Sequence, residues 1–247
     1  MAGRAVPGGW VADGVALGAD GVGPAAVAGR GSRLGAAGSG GSGLVRVAAP
    51  HRPAVGLAQL VLGALSVSLL AMVVLHLLAV GRLDPLTTTV SDYISIPGGT
   101  ALLGLAVIGL ATATAGLAVG ALSTGAHRAS ALFGFGCAGL LATIAFPTNV
   151  IGTPENLDTV LHRYVAAAFF ISLPIAALLL RDRATRPITV ASMVIGVAFL
   201  VSHVPLVFPG WPGAHEIAVV LPRGLAERAL LAADMVLIAR LAGRVSR

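Results

Sequence analysis

The segment Thr153 to Tyr164, TPENLDTVLHRY, holds two carboxylates and an imidazole within eight positions. With Thr153 as cap and Pro154 in the first helical position, a helix starting there places Glu155, Asp158 and His162 at i, i+3 and i+7 on one face. Such a face could hold a divalent metal, with His203, His76 or His215 from other segments completing the ligand set, and a bound metal would activate water for hydrolysis. The same residues also read as a solvated first turn, its acids placed favourably at a helix N-terminus and His162 paired with Asp158. No C-x-x-C or H-E-x-x-H pattern accompanies them. The single cysteine, Cys137, lies in an apolar run, which leaves neither an intrachain disulfide nor a cysteine-based metal site.

A second group opens the last apolar segment, PRGLAERALL. Arg223 and Glu227 are one helical turn apart, and Glu227 with Arg228 is expected to meet the segment SDYIS at Ser91, Asp92 and Tyr93. The group could bind an anionic headgroup or a small solute, or serve as an ion pair docking the last helix. Asp234 stands alone near the middle of that segment, where an unpaired carboxylate in a bilayer costs about 2.5–3.5 kcal/mol or more. It is expected to face other helices, bonded to Thr112, Thr114 or Thr143 or kept protonated, and is a candidate proton or cation site.

The elements that position these groups follow from composition. Of 247 residues, 56% are hydrophobic, 33 are glycine and only 11% are charged, less than half the usual share of a soluble domain. Six apolar runs, at about 56–81, 99–122, 129–147, 161–180, 188–208 and 224–242, are each close to the ~20 residues needed to cross a bilayer. They are apolar all round, so the fold class is all-α, a polytopic bundle of six transmembrane helices. Gly116 and Gly120, with Gly134, Gly136 and Gly139, allow close helix approach, and Pro174 and Pro205 bend the fourth and fifth spans. Residues 1–55, rich in Gly, Ala and Arg, read as a flexible, disordered cytoplasmic tail without a signal-peptide core, unless translation starts near Val45 or Val47. Residues 244–247 form a short cytoplasmic end.

All 16 basic residues are arginine, and the net charge is +6. They sit singly between apolar runs and form no basic stripe, which argues against nucleic acid as a partner. If the N-terminus is cytoplasmic, twelve arginines fall inside and only Arg82, Arg163, Arg223 and Arg228 outside, as the positive-inside rule requires with both termini cytoplasmic. Six of the ten acids then lie on the outer side, with His162 and His215, while His76 and His203 lie about 7 Å below its surface at 1.5 Å per residue. Tyr93, Tyr164 and Trp211 are expected in the outer aromatic belt.

His76 near the end of the first span, Ser91-x-Tyr93 followed by Pro97-Gly98-Gly99, Phe146-Pro147-Thr148, His162 opening the fourth span, and Gly224-Leu225 with Arg228 opening the sixth form an ordered set. In that order the chain resembles the bacterial membrane family called domain of unknown function 998, over roughly residues 55–243. Asn149 stands where the family usually has an acid, and Glu227 where an amide is common. The resemblance implies an architecture and candidate positions, with no activity attached.

The sequence therefore describes an inner-membrane protein of uncharacterised function with a polar outer-leaflet pocket. Its site candidates are His76, Ser91, His162, Glu227 and Arg228; the metal candidates are Glu155, Asp158, His162 and His203. No cofactor is expected beyond a divalent metal. The expected partners are the bilayer and a lipid headgroup or small molecule. Two alternatives stand beside this reading: a metal-dependent lipid hydrolase or transferase, and a proton-coupled transporter using Asp234. Whether the protein is an enzyme is left open.

Overall fold

A computed structural model of the chain describes residues 54–208 and 210–245. The expectations for the N-terminal tail and its start site lie outside these residues. The described residues form helices and no strand: α1 (Ala54–Ala79), a short 3-10 segment (Ser91–Ser95), α2 (Gly99–Ser123), α3 (His127–Ala145), α4 (Leu157–Leu179), α5 (Arg186–Ser202), α6 (Val204–Val207), α7 (Ala214–Val220) and α8 (Arg223–Val245).

Five segments are long and apolar enough to cross a membrane: Gly56–Ala79, Gly99–Ser123, His127–Ala145, Leu157–Leu179 and Arg186–Val207. They match the first five runs expected from the sequence. With large apolar side chains such as Leu70, Leu77, Ile108, Phe135 and Val194 turned outward, this is a multi-pass membrane protein. The sixth run forms α8, whose 23 residues reach about 34 Å at 1.5 Å per residue. It falls outside the apolar group because it carries Arg223, Glu227, Arg228, Asp234, Arg240 and Arg244.

Proline shapes the breaks. Phe146 and Phe208, each followed by proline, leave the helical region (φ −117°, ψ 82° and φ −129°, ψ 65°) and end α3 and α6, since a proline ring disfavours helical backbone at the preceding residue. Pro174 stays within an unbroken α4, whereas at Pro205 the fifth span divides into α5 and α6 around His203.

The inner core gathers Val61, Leu65, Leu117, Phe133, Phe169, Leu173, Leu237 and Leu241. Close packing depends on glycine, though not at every expected position. A Cβ on Gly139 would lie 2.6 Å from the Val165 carbonyl oxygen of α4, and one on Gly136 would meet the Ser172 hydroxyl. Gly116 faces the Val61 side chain, whereas Gly134 faces open space. At Gly109 the α1 backbone itself comes close: a Cβ there would lie 2.7 Å from the Ala64 carbonyl oxygen.

One end of the bundle brings together the C-terminal end of α1, the 3-10 segment, the α3–α4 loop and the start of α8. Glu227 bonds to Val90, Thr148 to Ser91 and Ile151 to Ser95 across it. At the other end Arg244 pairs with Asp182 of the α4–α5 loop at 3.4 Å.

Candidate functional site

The polar end is organised by Arg228. Its Nε donates to His76 Nε2 at 2.9 Å, one terminal nitrogen donates to the carbonyls of Thr88 (2.9 Å) and Gly224 (2.7 Å), and the other donates to the Tyr93 hydroxyl at 2.5 Å. One guanidinium thus ties α8 to α1 and to the connection between α1 and α2. His76 Nδ1 lies 2.8 Å from the Met72 carbonyl. A carbonyl only accepts, so Nδ1 carries the hydrogen and Nε2 accepts from Arg228. Tyr93 is 1% exposed and packs edge-on against His76. It is therefore an internal anchor and not the surface aromatic expected of it, whereas Tyr164 and Trp211 are exposed.

Glycine makes room for this arrangement. A Cβ on Gly224 would run into the Thr88 carbonyl and lie 2.6 Å from the Pro85 carbonyl oxygen, so only glycine lets α8 start there. Gly98 takes the left-handed conformation ahead of α2 at φ 78°, and a Cβ on Gly99 would strike the Tyr93 carbonyl. These contacts explain the Pro-Gly-Gly that follows SDYIS.

Glu227 forms no ion pair with its neighbour Arg228. It is 7% exposed, and one carboxylate oxygen accepts from the Val90 amide at 2.5 Å. Among the described residues the only sealed, unpartnered side-chain polar atoms are Ser68 Oγ and Asp234 Oδ2, so the second Glu227 oxygen opens on free space. That space is two adjoining cavities. The larger, about 500 Å³, is walled by α4, α5, α6 and the loop 148–153, and takes in Asp92, His162, His203, Arg163, Arg223 and Glu227. The smaller, about 120 Å³, runs inward between α1, α2 and α3 to Ser68. Ser91, Thr148, His162, Ala166, Phe170 and Glu227 line both and form the neck between them.

Of the five expected site residues, Ser91, His162 and Glu227 meet at this neck. His76 and Arg228 line neither cavity and brace α8 from behind. Asp92 lines the same cavity as Glu227, in the segment expected to meet it, whereas the cavity-lining role of Phe170 and Phe199 was not foreseen. Asp92 accepts from the amide and hydroxyl of Thr89 through one oxygen.

The expected metal set does not assemble. Asn156, and not Thr153, caps α4: its side chain accepts from the Thr159 amide, and Thr153 turns to the Val150 carbonyl. Asparagine is among the strongest capping residues and, unlike Thr153, sits directly before the helix. Glu155 therefore precedes the helix and pairs with Arg163, whose guanidinium holds it below the usual glutamate range. Asp158 is exposed. His162 and His203 turn Nδ1 to the carbonyls of Phe146 and Phe199, at 2.8 and 2.9 Å. No three His, Cys, Asp or Glu side chains among the described residues are grouped to hold a metal ion.

Asp234 is fully buried and lines neither cavity. Its partner is the Ser192 hydroxyl of α5 at 2.5 Å. The threonines expected to serve it, Thr112, Thr114 and Thr143, each bond a carbonyl of their own helix, the usual local alternative for a helical hydroxyl.

Neither the curated proteins nor the solved structures give a match to this chain. A family model, "protein of unknown function (DUF998)", matches residues 62–244. That span takes in α1 from Leu62 onward, the whole polar end and α8 almost to its last residue, so the chain belongs to the DUF998 family.

Proposed function

We propose that this protein is a membrane-embedded binding protein for an amphipathic small molecule or lipid, held in the larger cavity at the polar end. The observation that carries the reading is the composition of the cavity wall. Apolar side chains of α4, α5 and α6 form its side (Phe170, Phe199, Leu200, Val207), while His162, Glu227, Asp92 and Arg223 sit toward one end. Tyr164, Leu200, Val207 and Phe208 line it and are also exposed on the surface, so the space opens sideways between α4 and the α5–α6 break. A cavity that is apolar along its length, polar at one end and open to the side suits a ligand arriving from the bilayer.

The reading includes an orientation. The polar end is the outer leaflet of the cytoplasmic membrane, α8 is a sixth span, and both termini are cytoplasmic. Arg128, Arg181, Arg183, Arg186, Arg240 and Arg244 gather toward the opposite end, which supports this under the positive-inside rule. Several charges of α8 have internal partners, Glu227, Arg228 and Asp234 among them, which makes crossing tolerable.

Binding of a pyrene-labelled single-chain amphiphile to protein in nanodiscs, read against empty nanodiscs, tests the reading. Saturable binding that Ala166→Trp abolishes by filling the neck is the expected result. Binding no greater than that of empty nanodiscs, or unaffected by a folded Ala166→Trp protein, overturns it.

A further inference from the structure

The hydrogen-bonding state of the neck narrows the class of ligand, and the inference rests on the amphiphile-binding reading above. Each polar hydrogen of the side chains at the neck is already directed to a protein acceptor. The Thr89 hydroxyl donates to Asp92 at 2.6 Å, so the Ser91–Thr89 contact at 3.0 Å requires Ser91 to donate to Thr89. The Thr148 hydroxyl donates to the Ser91 carbonyl at 3.3 Å. His162 Nδ1 faces the Phe146 carbonyl at 2.8 Å and so carries the ring hydrogen, which leaves Nε2 as the ring's acceptor.

Acceptors without donors are what remain at the neck: the second oxygen of Glu227 and His162 Nε2. A little further out lie the second oxygen of Asp92 and His203 Nε2, whose Nδ1 is held by Phe199. Uncommitted donors on the larger cavity wall are Arg223, one helical turn before Glu227 on α8 and not ion-paired with it, the second amide hydrogen of Asn149 and the Tyr164 hydroxyl. The other nearby cations are occupied. Arg163 is paired with Glu155, and Arg228 is directed at His76, Thr88, Gly224 and Tyr93.

We infer that the neck binds the primary ammonium of a cationic amphiphile, its N–H groups donating to Glu227 and His162 with Asp92 beside them. A buried carboxylate with one unpartnered oxygen is costly unless a donor reaches it. An ammonium supplies three donors and the opposite charge, which a phosphate or sulfate head lacks altogether and a quaternary ammonium lacks in hydrogen bonds. The apolar walls of α4 and α5 then take the alkyl chain.

The test is calorimetric titration of the full-length protein in phosphatidylcholine nanodiscs, with empty nanodiscs as reference, using four amphiphiles with the same dodecyl chain. Their heads are primary ammonium, trimethylammonium, maltoside and phosphate. Dodecylammonium is expected to bind about 10-fold or more tighter than dodecyltrimethylammonium, since a charge-assisted hydrogen bond contributes ~1.5–3 kcal/mol. Glu227→Gln is expected to lower dodecylammonium affinity about 10-fold and to weaken the trimethylammonium compound less, through loss of charge attraction alone. Equal binding of the two ammonium heads overturns the inference, as does equal or tighter binding of the maltoside or phosphate, while the amphiphile-binding reading survives. Absence of binding by all four overturns both. The series on the unaltered chain decides the matter whether or not Glu227→Gln folds.

Discussion

Replacing Arg228 by leucine removes one guanidinium and leaves four protein groups to be accounted for. His76 Nε2 and the Thr88 carbonyl lose their donors at 2.9 Å, the Tyr93 hydroxyl loses its donor at 2.5 Å, and the Gly224 carbonyl, in the first turn of α8, keeps only its ordinary intrahelical acceptor role. Hydrogen bonds to a charged group contribute ~1.5–3 kcal/mol each when measured singly. Their simple sum overshoots, because desolvating the guanidinium costs several kcal/mol and leucine refills part of the volume. An enclosed acceptor left without its donor costs ~1–3 kcal/mol, so Arg228→Leu, which strips His76, Tyr93 and the Thr88 carbonyl, should destabilise by about 4 kcal/mol. His76→Phe keeps a ring against Tyr93 and removes both the acceptor for Arg228 and the Nδ1 donor to the Met72 carbonyl, which should cost about 2 kcal/mol. The double variant should show a coupling of about 1–2 kcal/mol. Equilibrium unfolding in mixed micelles measures all three. A cost below about 1 kcal/mol for Arg228→Leu, or strict additivity in the cycle, would refute the assignment of Arg228 as the tie between α8 and α1.

Other perturbations separate the remaining contacts. Gly224→Ala should destabilise by ~1–3 kcal/mol through the contact with the Pro85 and Thr88 carbonyls, and a melting temperature equal to wild type would contradict it. Gly139→Ala should cost a similar amount while Gly134→Ala, facing open space, should be neutral within ~0.5 kcal/mol; equal effects in thermal unfolding would remove the distinction. Ser192→Ala should cost ~1–3 kcal/mol by leaving Asp234 without a partner, whereas Ser192→Thr should retain most of the stability; the reverse order would argue against the α5–α8 bond. Asp84 is held below its ordinary value near 3.8 by the Leu86 amide and the Thr87 hydroxyl. A depressed folded pKa contributes stability above the unfolded value that is lost as pH falls through the folded one. The Leu86 amide should therefore keep its hydrogen-exchange protection at pH 3.8 and lose it in stronger acid; loss beginning well above that pH would count against the turn.

Much of the fold could be read from the sequence, because an apolar run of bilayer length has few alternatives. The expected run at 99–122 forms Gly99–Ser123, and that at 224–242 forms Arg223–Val245. Helix starts were less legible where two capping residues competed: Thr153 and Asn156 both suit the role, and the choice moved Glu155 off the helix. The meeting of Ser91, His162 and Glu227 was expected, whereas the split between a cavity group and a bracing group was not. A signal for the brace was present. His76 lies three residues before the end of α1 and Arg228 five residues into α8, so antiparallel helices bring them to similar depth. The partner of Asp234 was missed because a hydroxyl in a helix usually bonds its own backbone, and no spacing rule marks Ser192 as the exception. Tyr93 was misplaced because a tyrosine near a span end is ambiguous until its hydroxyl has a partner.

The central claim is that an amphiphile occupies the cavity between α4 and the α5–α6 break. It is tested most directly by photolabelling the protein in nanodiscs with a dodecylammonium analogue carrying a diazirine on its alkyl chain, and mapping the adducts by mass spectrometry. The account predicts saturable labelling concentrated on Ala166, Phe170, Phe199 and Leu200, competed by unlabelled dodecylammonium. Labelling spread evenly over outward-facing residues such as Leu70, Leu77 and Ile108, without competition, would contradict it.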